Sequence, residues 1–197
     1  SLVIDLFMPS AFSTHNTNPL ALYPQAWERA GKVKLLVLDV DGVLTNGQVW
    51  IGADGKESLK AFDIQDGLGI KLLEQCGIPT AIITGRNSKM VLARCEELGI
   101  KHVHMGVENK AIALAEVIKS LGLTSADCAV MGDDWPDMQM MKQAGLRICP
   151  AQGHEAVKEF AHLVTTRNGG NSAVREVCDL ILKAQNRYEE LLAKARS

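Results

Sequence analysis

From Val33 onward, short apolar runs alternate with stretches whose apolar residues recur at helical spacing. The runs "KLLVLDV", "TAIITG", "HVHMG", "CAVMGD", "LRICP" and "HLVTT" predict six strands. Helical periodicity falls between them at about 67–76, 88–98, 110–121, 136–144 and 155–160, and a last helix is predicted from about 173 to 195. Strand and helix alternating in this way predict a doubly wound α/β domain, a parallel sheet covered by helices on both faces. One stretch breaks the alternation. In "NGQVWIGADGKESLKAF" the turn dipeptides Asn46-Gly47 and Asp54-Gly55 border β-rich runs, so a β-hairpin at about 46–62 is predicted directly after the first strand. The C-terminal tail begins at about residue 168.

Composition narrows the class. The chain has 197 residues, 47% hydrophobic and 22% charged, enough for one well-buried domain over residues 31–197. No apolar run approaches the ~20 residues of a membrane span, so no membrane partner is expected. A formal net charge of −2 argues against a polyanion binder, which makes nucleic acid an unexpected partner and a small anion, held by local groups, an expected one. The five cysteines are odd in number and contain no C-x-x-C pair, so they read as small core residues of a reducing cytoplasm. The first 28 residues lack Lys and Arg and carry many Asn, Pro, Ser and Thr. Residues 1–30 therefore read as a flexible extension without the basic start of a secretory signal.

The chemistry collects at strand ends, where an open parallel sheet binds its ligands. The first strand ends in Asp39 and Asp41, the second in Thr84 and Gly85 followed by Arg86, and the fourth in Gly132, Asp133 and Asp134, with Asp137 one turn later. Lys110 opens the helix after the third strand. Asp39 and Asp41 are two residues apart and share one side of an extended chain. With Asp133 they make a set of hard oxygen donors suited to Mg²⁺, beside which Lys110, Thr84 and loop N–H groups would receive phosphate oxygens. Each residue also has a structural reading: Asp39 and Asp41 as turn formers before Gly42, Asp134 as a helix cap, Lys110 as a solvated helix residue.

"DVDG" at 39–42, Thr84, Lys110 and "GDDWPD" at 132–137, in this order, resemble the four signatures of the haloacid dehalogenase (HAD) superfamily of phosphotransferases, over about residues 34–185. "AFDIQDGLGIKLL", "ITGRNS" and the tail "GGNSAVREVCDLILKAQ" are similar to a narrower group within it, phosphatases that act on phosphorylated sugar acids. The resemblance implies a HAD-like Rossmannoid fold. It makes Asp39 the nucleophile and Asp41 the acid and base, and it sets Mg²⁺ between the Asp39 carboxylate, the Asp41 carbonyl and Asp133. Thr84 and Lys110 would hold the transferring oxygens, with Asp134 and Asp137 orienting the metal shell and Lys110. An acid at position 41, where ion-pumping members have Thr, favours ester hydrolysis. The implied substrate contacts are Asp41, Lys110, Gly85, a loop of Asp63, Gln65, Asp66 and Gly67 with Lys71, and the cations Arg86 and Arg94. Gln65, where relatives often have Arg, and Asn171-Ser172 depart from the pattern in segments expected to touch substrate, which bears on selectivity.

Spacing adds an architectural expectation. Only 42 residues separate Asp41 from Thr84, 25 separate Thr84 from Lys110 and 22 separate Lys110 from Asp133. The hairpin and one helix fill the first interval, so no cap domain fits. An uncapped site needs another lid, and a hairpin bearing Trp50 and Ile51 is too apolar for a free edge. The expectation, consistent with the family, is a homotetramer whose hairpins form a central barrel and whose tails reach a neighbouring site, in the cytoplasm of a Gram-negative bacterium making lipopolysaccharide precursors. Rival readings are a phosphatase for a nine-carbon sialic-type acid 9-phosphate, a broad-specificity HAD phosphatase, and a phosphate-accepting receiver module. The last needs its acceptor Asp after the third strand, where this chain has "HVHMG". A dinucleotide site at "DGLGIK" lacks the third glycine, and His102 and His104 read as structural.

Overall fold

Leu35–Leu38 form strand β1, and all four side chains are buried, which only a strand covered on both faces allows. The computed structural model describes residues 23–197. In chain order the other elements are α1 (Pro24–Ala30), β2 (Trp50–Ile51), β3 (Glu57–Leu59), α2 (Ile64–Gln75), β4 (Thr80–Ile83), α3 (Lys89–Leu98), β5 (His102–His104), α4 (Lys110–Leu121), β6 (Cys128–Met131), α5 (Met138–Met141), β7 (Leu146–Cys149), α6 (Glu155–Phe160), β8 (Leu163–Val164), α7 (Ala173–Ala184) and α8 (Tyr188–Arg196). The main sheet has the order β5-β4-β1-β6-β7-β8, with every pairing parallel. Successive strand residues serve opposite layers. Leu36, Leu38, Ile82 and Met131 pack with α1, α2, α3 and α7 on one face; Leu35, Val37, Ile83 and Val130 pack with α4, α5 and α6 on the other. The chain is thus doubly wound, and β1 sits where the strand order reverses.

All six predicted strands are present, and β2 and β3 pair antiparallel as the hairpin, with Trp50 opposite Leu59. No helix among the described residues is long and apolar enough to cross a membrane. The five cysteines are free thiols, four of them buried in the two cores.

Three boundaries differ from expectation. The flexible extension was to run to residue 30, but residues 24–30 form α1, whose Ala26 and Ala30 are fully buried against α7. Residues 1–22 of that extension lie outside the described residues. Helix α2 starts at Ile64, ahead of the expected position, because Asp63 caps it by accepting from the Gln65 N–H at 2.7 Å. The single last helix is two helices, broken at Asn186 in the left-handed region (φ 57°). There the Gln185 amide donates to the carbonyls of Ala30 (3.1 Å) and Val33 (2.8 Å), joining the end of α7 to the end of α1.

The tail is folded onto its own chain. A Cβ on Gly169 would meet the Gly42 carbonyl oxygen at 2.0 Å, and one on Gly170 the Asn46 nitrogen at 2.5 Å, so only glycine lets this backbone lie against the loop that follows β1. Gln152 bridges the two, donating to the Gly42 carbonyl (2.6 Å) and accepting from the Gly169 N–H (2.7 Å). Residues 169–184 buttress the chain's own strand-end loop and α2; the expected reach of the tail to a neighbouring site is a property of the assembly.

Candidate active site

The loop after β1 turns on Val40, whose carbonyl accepts from the N–H groups of Val43, Leu44 and Thr45. Gly42 takes φ 87°, and a Cβ there would fall 2.0 Å from Asp133 Oδ2, so glycine is needed both for the turn and for the approach of that carboxylate. Thr45, buried behind the loop, accepts from the N–H groups of Gly42 and Gly47. A second glycine, Gly132, leaves room for Asp137, whose Cβ would lie 2.3 Å from an added methyl.

A cleft of about 330 Å³ opens at this edge. It is lined by Asp39, Asp41, Thr84, Gly85, Arg86, Lys110, Asp133, Asp134 and Asp137, all foreseen from the sequence, and by Gly47, Val107, Glu108 and Pro136, which were not. Lys110 reaches from the first turn of α4 to Asp39 Oδ1 (3.0 Å) and Asp137 Oδ1 (2.7 Å). Asp137 Oδ2 accepts from the N–H groups of Asp133 (2.9 Å) and Asp134 (3.3 Å). Asp134 caps the short turn Trp135–Asp137. Both Asp137 oxygens are thereby engaged, which fits a role in orienting Lys110 and the loop.

The electrostatics call for one more positive group. Carboxylate oxygens of Asp39, Asp133 and Asp137 lie within 4.8 Å of one another. Burial, and then the charge of Asp137, push the Asp39 carboxyl above the usual range despite Lys110. Asp133 is pushed up by burial and by Asp39, Asp137 and Asp134, and no ion pair among the described residues relieves it. Burial pulls Lys110 down, yet Asp39 and Asp137 outweigh it and hold the ammonium above its ordinary value. Three acids against one lysine leave a deficit that a divalent cation on hard oxygen ligands would fill. The donor set fits Mg²⁺.

Asp41 stands apart from that trio. Its Oδ1 accepts from Lys60 Nζ at 2.7 Å and its Oδ2 lies 3.8 Å from Arg86 Nε. Lys60, which follows β3, had no place in the sequence reading; a lysine in a β-rich run reads as a solvent-facing edge residue.

The predicted substrate loop does not line the cleft. Asp63 caps α2 and accepts from Ser172 Oγ (2.7 Å), and Asp66, fully buried, accepts from the Arg175 N–H (2.8 Å). Gln65 offers its carbonyl to Arg175 (3.4 Å), and Gly67 lies under the Arg94 guanidinium. Arg94 pairs with Glu97 (2.8 Å), donates to the Asp63 carbonyl (3.3 Å) and stacks toward Phe62, while Lys71 is exposed on α2. In the single chain this segment is a helix start locked to the tail. The "DGLG" glycines are likewise inside α2, packed on Arg94 and Cys178, and form no phosphate loop.

The fold and this rim define a class, a doubly wound hydrolase with a cluster of carboxylates at the switch point of the sheet. The haloacid dehalogenase-like hydrolase family matches residues 103–177. The 3-deoxy-D-manno-octulosonate 8-phosphate phosphatase KdsC of Salmonella typhimurium is 42% identical over 174 residues, 88% of this chain and 91% of the relative. A crystal structure of the Moraxella catarrhalis phosphatase of the same name, in complex with a magnesium ion, a phosphate ion and KDO, superposes with a TM-score of 0.83 at 45% identity, covering 86% of this chain and 97% of the other. The Yersinia pestis phosphatase gives a TM-score of 0.81 at 43% identity, covering 83% and 88%. This chain belongs to the KdsC family of haloacid dehalogenase-like phosphatases.

Proposed function

We propose that this chain hydrolyses 3-deoxy-D-manno-octulosonate 8-phosphate (KDO 8-phosphate) to KDO and phosphate, as a Mg²⁺-dependent step of lipopolysaccharide precursor synthesis. The carrying observation is the rim itself: the Asp39 carboxylate ion-paired to Lys110 and close to Asp133, with Asp41 lining the same cleft of about 330 Å³. Asp39, Asp133 and the Asp41 carbonyl would hold Mg²⁺, which when bound supplies positive charge to the phosphoryl oxygens and lets the acids ionise together. Asp39 attacks phosphorus and forms an aspartyl-phosphate. Asp41 gives its proton to the departing sugar oxygen and then takes one from the water that hydrolyses the intermediate. Lys110 and the Thr84 hydroxyl bind the transferring oxygens, and Asp134 and Asp137 fix the loop and Lys110 around them. Gly85 and Arg86, at the mouth of the cleft, contact the sugar acid.

The assembly is a homotetramer in the cytoplasm. Supporting this are the exposed apolar side chains Val49, Trp50, Ile51 and Leu59 on the hairpin and Ile64 and Leu68 on α2, which neighbouring subunits would cover. Such a contact would bring another subunit to the open mouth of the cleft and supply the missing lid. The free buried thiols are those of a protein from a reducing compartment.

Phosphate release with Mg²⁺ is to be compared for KDO 8-phosphate, sialic-type 9-phosphates and hexose phosphates. The highest kcat/KM belongs to KDO 8-phosphate; equal values for hexose phosphates would refute the substrate assignment. The Asp39→Asn variant keeps the fold and loses turnover, and full activity in it would overturn the mechanism.

A further inference from the structure

The Lys60 side chain is only 2% exposed, although it is the hairpin's last cation and ends near a cleft open to solvent. A buried ammonium is costly unless it is paired, and here it donates to Asp41 Oδ1 at 2.7 Å and lies 2.8 Å from Glu57 Oε1 as an ion pair. Glu57 Oε2 also pairs with Arg86 Nη2 (3.1 Å), and Arg86 Nε returns to Asp41 Oδ2 at 3.8 Å. With Asp41 ionised, the four groups close a ring of alternating charge, drawn from the β1 loop, the outgoing side of the hairpin and the end of β4. No other ion pair ties the hairpin to the main sheet among the described residues.

We propose that Lys60 is a positioning residue for proton transfer by Asp41: it clamps Oδ1, with Glu57 fixing the lysine in turn, so that Oδ2 is the oxygen presented to the leaving group. This rests on the reading of Asp41 as the acid given above. In the step concerned, the bond from Asp39 Oδ to phosphorus forms as the ester P–O bond breaks, and the proton carried on Asp41 passes to the departing oxygen. An alkoxide leaves poorly without that proton, whereas a p-nitrophenolate leaves well with none. The contribution of an aimed acid is therefore large for the sugar ester and small for the aryl ester, on the scale of the ~10²–10⁴ that general acids provide. Rotation of the Asp41 carboxyl, once freed, is felt by the first substrate and much less by the second.

The test is kcat/KM for KDO 8-phosphate and for p-nitrophenyl phosphate, both at saturating Mg²⁺, in the wild type and in Lys60→Met, Lys60→Arg and Asp41→Asn. The ratio of the two values cancels the fraction of enzyme correctly folded, so a merely structural lysine would leave it unmoved. Lys60→Met is expected to lose about tenfold or more on the sugar ester beyond its loss on the aryl ester, and Lys60→Arg to regain most of that difference. Should Lys60→Met yield no soluble protein, Glu57→Gln replaces it, with a smaller shift of the ratio in the same direction expected and an unchanged ratio counting against the clamp. Equal losses on both substrates in Lys60→Met, beside a selective loss in Asp41→Asn, overturn the inference and spare the mechanism. Equal losses in Asp41→Asn itself overturn the reading of Asp41 as the acid and the clamp with it.

Discussion

Replacing Asp66 by Asn isolates one buried carboxyl. Asp66 is 1% exposed; its Oδ1 accepts from the Arg175 N–H at 2.8 Å, while Oδ2 is buried with no partner. Burial is the main cause that pushes its pKa up to about 7 from 3.8; the Arg175 N–H opposes this, the nearby Asp63 adds to it, and Arg94 and Arg175 pull it back. A folded-state pKa above the unfolded one means that the native protein binds the extra proton between those two values, so stability falls as pH rises from about 4 to about 7 and levels off above. A difference of about three pKa units corresponds to an upper bound of about 4 kcal/mol. Asn is shaped like the protonated acid and can keep the Arg175 contact. Urea unfolding of wild type and Asp66→Asn should thus coincide near pH 4, with the variant gaining a growing advantage toward pH 7.5. A difference that is flat with pH, or that favours the wild type at neutral pH, would refute the reasoning; the latter would show that the ionised carboxylate is wanted, as a substrate-binding role for Asp66 requires.

Lys110→Met removes the ammonium from Asp39 and Asp137 and leaves two buried acids unpaired, so a loss of about 3–5 kcal/mol in chemical denaturation without metal is expected, together with loss of turnover. Gly42→Ala sets a methyl group on Asp133 Oδ2 at a residue with φ 87°, so it should cost about 1–3 kcal/mol from crowding alone and weaken Mg²⁺ binding measured by calorimetry; unchanged affinity would place the metal elsewhere. Withdrawing Mg²⁺ with a chelator abolishes phosphate release, and readdition restores it; metal-independent turnover would contradict the role assigned to Asp39 and Asp133.

The strands were legible because each is a short run of buried apolar residues between turn formers, a pattern that a doubly covered parallel strand must show. The rim was legible for a related reason: Asp39 and Asp133 are charged residues placed where such strands end, Lys110 opens the helix that follows another, and charge next to a buried run requires an explanation. The locking of Asp63 to Ser172 and of Asp66 to Arg175 was not, since each joins residues 109 apart in the chain and no local period encodes it. Helix α1 was missed because two small residues, Ala26 and Ala30, supply its buried face and give little hydrophobic signal. Lys60 was missed because its pairing with Asp41 joins residues 19 apart in the chain, which no local pattern encodes.

The glycine pair 169–170 sits flush on the turn that follows Asp39, with Gln152 as the bridge between them. Translation delivers this backing 130 residues after Asp39, so until Gly169 and Gly170 have emerged a nascent chain holds that carboxylate without the wall that shapes the neighbouring turn. A chain truncated before Gly169 would retain every acid of the rim while lacking the support of the turn that follows the first of them.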